Sequence, residues 1–266
     1  MNLNIKNFRL LNCGFLILFI MMIGSSLSWS EQKNDGQYKS FAVVELFTSQ
    51  GCSSCPPADR VLHQLVDESR KKNLRVYSLA FHVDYWDDLG WKDIFSQQKF
   101  THRQRMYGAH LNQGSIFTPQ VMINGQFGIN GARGDLIQKH INSFISVPAD
   151  KLLTLKINGS NHSQVEVGFE IFNRGQHDLL NLALVERSLA VKILHGENAG
   201  LLMNYDNVVR NFKTIHIDHD SGVVLLEIPN GCNNKRLSII GFLQNPESLA
   251  ISAAHQVDMT VDSGSN

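Results

Sequence analysis

Two thiols three residues apart, Cys52 and Cys55, are the residues of this chain whose type and spacing most directly allow chemistry. A Cys-x-x-Cys pair can close a small disulfide ring, or carry a mixed disulfide at one sulfur that the other resolves. The apolar run Phe41 to Phe47 ahead of the pair reads as a buried strand, and Thr48 to Gly51 as the turn that ends it. Pro56 and Pro57 suit only the first turn of a helix, and Val61, Leu62, Leu65 and Val66 behind them repeat at helical spacing. The pair therefore falls at a helix N-terminus, where unpaired N–H groups and the helix dipole favour thiolate over thiol. Cys52 is the expected nucleophile and Cys55 the resolving thiol.

Two other uses of the pair stand beside this one. Structural cysteines need no more than a closed ring, and a zinc site needs a second spaced pair of Cys or His, which the sequence lacks. Glu45 is a carboxylate inside the apolar strand before the thiols. If burial raises its proton affinity it can exchange protons with them, and otherwise it faces water at a sheet edge.

Stepping outward, Lys6 and Arg9 precede an apolar run from Cys13 to Ile23 and small residues at Ser26, Ser28 and Ser30. This reads as a secretory signal peptide over residues 1–30, discarded together with Cys13. The run is too short for a membrane span, so no stable membrane insertion is expected after cleavage. Three cysteines then remain, too few for a disulfide-stapled scaffold, and a periplasmic or secreted location follows. Basic and acidic residues balance at 24 each, without a basic patch, which argues against nucleic acid. The expected partners are protein or small-molecule thiols and disulfides, and no cofactor is called for.

A second apolar run, Leu74 to Phe81, follows the helix, and a third strand, Gln120 to Asn124, follows a long helical insertion. Thr118-Pro119 stands at the mouth of that third strand, where the proline suits a cis bond beside the thiols. Asn124-Gly125 turns the chain into Gln126 to Ile129, and Asp135 to Ile145 closes the region as an amphipathic helix. His82 to Asp87 follows the second strand at the sheet end where ligands of open α/β sheets bind. Thr118, His82, Asp84 and Trp86 are thus candidate substrate contacts. His82 can also complete a copper(I) site with Cys52 and Cys55, or simply end a strand while Trp86 and Trp91 pack a satellite core.

Several motifs together carry a resemblance: Val44-Glu45-Leu46-Phe47-Thr48-Ser49-Gln50-Gly51-Cys52, then Phe81 to Asp87, Leu89 to Asp93, and Thr118 to Val121. The chain resembles the secreted thioredoxin-like family called domain of unknown function 1223, with the likeness continuing through Gly196 to Gly200 and Asn207 to Arg210. The resemblance implies a thioredoxin-like fold with the Pro119 loop lying against the cysteine pair, and no particular substrate. More distantly, Val44 to Phe47 and Pro119 to Gly125 are similar to periplasmic thiol oxidases of the DsbA type. This chain has one more residue between Glu45 and Cys52 than those oxidases, and no helical domain inserted in their manner.

From Leu152 onward the pattern changes to about seven strand-length apolar or alternating runs with turns such as Asn173-Arg174-Gly175 between them. The expected architecture is an α/β thioredoxin-like domain over 40–147 followed by an all-β, sandwich-like domain over 150–260. The 195–200 loop, with His195 and Glu197, reads as turn chemistry, and Cys232 as an incidental thiol. The leading function is thiol-disulfide exchange, with Cys52 attacking, Cys55 resolving, Glu45 moving protons and Pro119 shaping the substrate strand. Copper(I) delivery by Cys52, Cys55 and His82, and a binding protein with a structural disulfide, are the competing readings.

Overall fold

The apolar run before the cysteines forms β1 (Ala42–Thr48), all seven of whose residues are buried. A strand covered on both faces reads as continuous rather than alternating apolar sequence, which is what this stretch shows. The computed structural model describes residues 38–112 and 114–259, so the leader expected over 1–30, with Cys13, lies outside the described residues. After the cysteine turn comes α1 (Pro56–Lys72), with prolines in its first turn, Arg70, Lys71 and Lys72 in its last, and Asn73 closing it in a left-handed conformation. Then follow β2 (Val76–His82), α2 (Gln98–His110), β3 (Gln120–Ile123), β4 (Phe127–Asn130) and α3 (Gly134–Ile145).

Apart from one 3-10 turn at Asn234–Arg236, the regular elements of the second half are strands: β5 (Leu152–Ser160), β6 (Gln164–Phe172), β7 (Leu179–Glu186), β8 (Leu189–Lys192), β9 (Leu202–Tyr205), β10 (Val208–His216), β11 (Ser221–Glu227), β12 (Leu237–Gln244) and β13 (Ile251–Asp258). The chain is thus mixed α/β and mostly strand, around one eight-stranded sheet in the order β13-β12-β7-β10-β2-β1-β3-β4. The stretches expected as two domains, 40–147 and 150–260, share this sheet. Val208 of β10 pairs with Ala80 of β2, and Asn207 donates its side-chain N–H to the Ser78 carbonyl at 2.8 Å. Strand periodicity reports that a segment is buried on one face or two, but not which strand it pairs with.

The faces of the sheet explain what became of the expected sandwich. One face carries Val43, Phe47, Leu79, Phe81, Ala183, Val185, Ile240 and Phe242, packed with Phe100 and Tyr107 of α2. On the opposite face, α1 and α3 cover β1, β2 and β3 through Leu62, Ile137 and Ile141. Further along that face, Leu180, Leu182, Leu184 and Ile239 meet Leu153, Leu155, Val165, Val167 and Leu226 of a separate three-stranded sheet, β11-β6-β5. A sheet-on-sheet layer is therefore present, but one of its two sheets is an extension of the sheet that carries the thiols. The turn between β3 and β4 also ties the halves together: Ile251 donates its N–H to the Asn124 carbonyl at 3.0 Å. A Cβ on Gly125, at φ 69°, would lie 1.9 Å from the Leu249 carbonyl oxygen, so this position needs glycine for both conformation and space.

Candidate functional site

β1 and β2 run parallel, and their last residues, Thr48 and His82, are register partners. β3 runs antiparallel to β1 with Gln120 opposite Phe47, which brings Pro119 to the same end. The cysteine turn, the loop after His82 and the proline loop therefore meet at one edge of the sheet, where parallel strands end and side chains of three loops can converge. Cys52 and Cys55 form a disulfide with Cα atoms 5.4 Å apart, and Cys55 is the N-cap of α1. Both cysteines are wholly buried, whereas Ser53 and Ser54 between them are exposed. The Cys52 Sγ lies 3.4 Å from the Ser54 Oγ, which in turn donates to the Thr118 carbonyl at 3.5 Å. The Thr118–Pro119 bond is cis. Trp86 donates its indole N–H to the Thr118 Oγ1 at 2.8 Å and borders Gly51, so it spans the thiol turn and the proline loop.

Beneath the thiols lies a sealed polar layer. Asp59 stands one helical turn after Cys55, and side chains four apart lie on one face of a helix. Its Oδ1 accepts from Thr48 at 2.9 Å while its Oδ2, also buried, has no partner. Burial lifts the Asp59 carboxyl to about 7, against the opposing pull of His82 and the Thr48 hydrogen bond. His82 presents Nδ1 to the Asp93 Oδ2 at 2.6 Å, and its Nε2 is unpartnered. Burial disfavours the imidazolium, but the charge and hydrogen bond of Asp93, with Asp59 beyond, outweigh this and hold His82 above its usual value. Tyr205 packs its ring 5.0 Å from that of His82, and burial, with Asp59 and Asp93 adding, pushes its hydroxyl upward.

A family model described as a protein of unknown function, DUF1223, matches residues 43–244. The chain belongs to that family. A protein of Agrobacterium tumefaciens solved by X-ray crystallography is similar at 27% identity and a TM-score of 0.66, over 86% of this chain and 99% of its own. A β-glucosidase from Kluyveromyces marxianus aligns at 8% identity over 43% of this chain and 14% of its own, with a TM-score of 0.23, too slight a likeness to carry an argument. No curated protein matches the sequence.

Within this DUF1223 chain the structure gathers some of the expected site residues and separates others. Cys52, Cys55, Thr118, Pro119 and Trp86 meet around the turn. Glu45 does not face the thiols: it lies on the α2 face of the sheet, where Arg103 donates to both its oxygens at 2.5 and 3.0 Å and Tyr107 donates to Oε1 at 2.5 Å. Its alternation with Thr48 explains the placement, since residues an odd number apart along a strand point to opposite faces. Asp84, half-buried, accepts from Thr101 of α2 at 2.5 Å, and His82 is buried with its Nδ1 on Asp93. His82 keeps its Nε2 free while Nδ1 is bound to Asp93. Among the described residues no group of three or more His, Cys, Asp or Glu is arranged to hold a metal ion. Cys232 is unpaired and half-buried, its thiol pushed to about 11 by burial.

Sequence reading passed over Asp59 because an acid in the first turn of a helix is ordinary dipole chemistry. A signal was available: Asp59, Leu62 and Val66 share the buried stripe of α1, an unusual place for a carboxylate. It also weighed the 195–200 loop as turn chemistry, whereas Asn198 donates to the carbonyls of both Gln50 and Cys52 at 2.9 Å. Trp91 donates to the Gln50 Oε1 at 2.9 Å, and its Cβ packs against Gly196. Only the folded chain brings residues about 145 positions apart together.

Proposed function

We propose that this DUF1223 member is an exported thiol-disulfide oxidoreductase. The order β1-α1-β2 followed by β3, β4 and α3, with the proline loop at the head of β3, supports a thioredoxin-like reading of the part that carries the thiols. The observation that carries the functional reading is Asp59: a buried carboxyl with one free oxygen, one turn beyond Cys55, lifted into the neutral range. A purely structural disulfide gains nothing from a carboxyl buried at such cost, whereas a resolving thiol needs a proton acceptor matched to neutral pH.

In the reduced pair, the Cys52 thiolate attacks one sulfur of a substrate disulfide; that bond breaks and the second substrate sulfur leaves as thiolate. Cys55 passes its proton to Asp59 and attacks the Cys52 Sγ, closing the ring and releasing the first substrate sulfur as thiolate. Two electrons move from the pair to the substrate, and a dithiol reductant returns them. Thr118 and Trp86 border the turn and line the approach to Cys52. Arg103 and Tyr107 hold Glu45 as a structural ion pair.

Mass-tagging of free thiols after equilibration in a series of dithiol–disulfide buffers tests this. A reversible two-electron transition of Cys52 and Cys55, together with turnover of a peptide disulfide, is expected. A ring that stays closed under strong reduction leaves only a structural disulfide and ends the proposal.

A further inference from the structure

Five backbone N–H groups of the cysteine turn are already bonded. The N–H groups of Cys52 and Cys55 bond within the turn, to the carbonyls of Ser49 and Cys52, and that of Gly51 bonds to the Ser49 Oγ. That of Gln50 goes to the Asp93 carboxylate at 2.8 Å, and that of Ser53 to the Glu197 Oε2 at 3.2 Å. A thiolate at Cys52 is normally stabilised by such donors at a helix start. Here those of Gln50, Gly51, Cys52, Ser53 and Cys55 are committed, two of them to carboxylates, and the Ser54 hydroxyl lies against the Cys52 sulfur. The Glu197 bond comes from a loop held firmly in place: Asn198 is buried and clamps the turn at two carbonyls, and Gly196, at φ 76°, packs on Trp91 and Gly90.

We infer that the 195–200 loop, from the far half of the chain, is a positioning element for Cys52: Asn198 fixes the turn, and Glu197 disfavours the thiolate. The pair then rests as the disulfide and, once reduced, gives up its electrons readily, which makes the protein a donor rather than an acceptor. This inference rests on the oxidoreductase reading and gives a structural cause for the donor direction written there. A reduced form stabilised at a bare helix start makes an oxidant; one deprived of its donors and set beside a carboxylate makes a reductant. The charged and titratable groups around the turn are Glu197 at Ser53, Asp93 at Gln50 with His82 behind it, Asp59 on α1, and His195 against Trp91. Glu197 is exposed, and so can be changed without opening the core.

The test compares the parent protein with Glu197→Gln and Asn198→Ala. Each is equilibrated in dithiothreitol buffers for the reduction equilibrium, and its Cys52 alkylation rate by iodoacetamide is followed against pH by mass spectrometry. Glu197→Gln is expected to shift the equilibrium towards the dithiol by about two- to fivefold, the range for a charge near a helix start, and to raise alkylation at fixed pH by a similar factor. High salt should shrink the difference between parent and variant. Asn198→Ala is expected to hasten reduction of the ring by loosening the turn. A cycling parent whose Glu197→Gln variant matches it in both measurements, or shifts the opposite way, overturns this inference and leaves the oxidoreductase reading intact. A parent that cannot be reduced overturns both.

Discussion

Asp59 stands four residues beyond Cys55 on the buried stripe of α1, one oxygen bound by Thr48 at 2.9 Å and the other without a partner. Its burial lifts the carboxyl into the neutral range, and the proposed function then predicts a pH signature in both stability and rate.

For stability, Asp59 moves from 3.8 to about 7 on folding. Between these values the folded chain holds a proton that the unfolded chain has released, so stability falls as pH rises across that window. The full shift corresponds to a few kcal/mol at about 1.4 kcal/mol per unit. Chemical denaturation of the parent and of Asp59→Asn at pH 4.5 and 6.5 should show a fall in the parent that is absent from the variant. Parallel pH dependences would mean that Asp59 titrates normally.

For rate, closure of the ring from a mixed disulfide at Cys52 should rise through pH 7 as Asp59 becomes able to accept the Cys55 proton. In Asp59→Asn that inflection should vanish and the rate at pH 7 fall about 100-fold or more. Stopped-flow release of a chromophoric thiol from the mixed disulfide measures it.

Cys55→Ser should accumulate mixed disulfides at Cys52 that do not resolve, and Cys52→Ser should form none, because Cys52 precedes the helix while Cys55 caps it. Gel-shift trapping with a peptide disulfide reads this out. Preferential labelling of Cys55 in the reduced parent would reverse the roles.

Glu45 and Arg103 form a buried pair, so Arg103→Ala should destabilise the fold by about 3–5 kcal/mol by leaving an uncompensated carboxylate. Glu45→Gln should leave the pH profile of ring closure unmoved. A changed profile in that variant would return Glu45 to proton transfer.

Because no group of three or more His, Cys, Asp or Glu among the described residues is arranged to hold a metal, His82→Ala should not weaken copper(I) binding by the reduced thiols in a competition assay. A loss of tenfold or more would instead support the copper-delivery reading. The variant should also raise the pH at which ring closure inflects, since His82 is the charge that lowers Asp59.

The local parts of this site were legible in the residues themselves. Proline at 56 and 57, the apolar stripe behind them and the Thr118-Pro119 pair announce a strand, a thiol turn, a helix and a second loop. What escaped depends on partners distant in sequence. Glu45 looked like a proton carrier until Arg103 was seen to bind it, and Asn198 looked like a turn residue until it was seen on the Cys52 carbonyl. The sheet escaped for the same reason: β7 and β12 run apolar and buried at strand length, and nothing in the pattern of β10 says that it will lie on β2.

The pairing of β10 with β2 has a consequence for any shortened form of the chain. With Val208 beside Ala80 and Asn207 on the Ser78 carbonyl, the later half covers a strand edge that the cysteine-bearing half cannot cover itself. Cut after Ile145, the chain would present the edge of Val76–His82 to water, a template for strand addition by a second copy. The seemingly accessory strands thus cover that edge, and a fragment built around Cys52 and Cys55 alone is expected to self-associate.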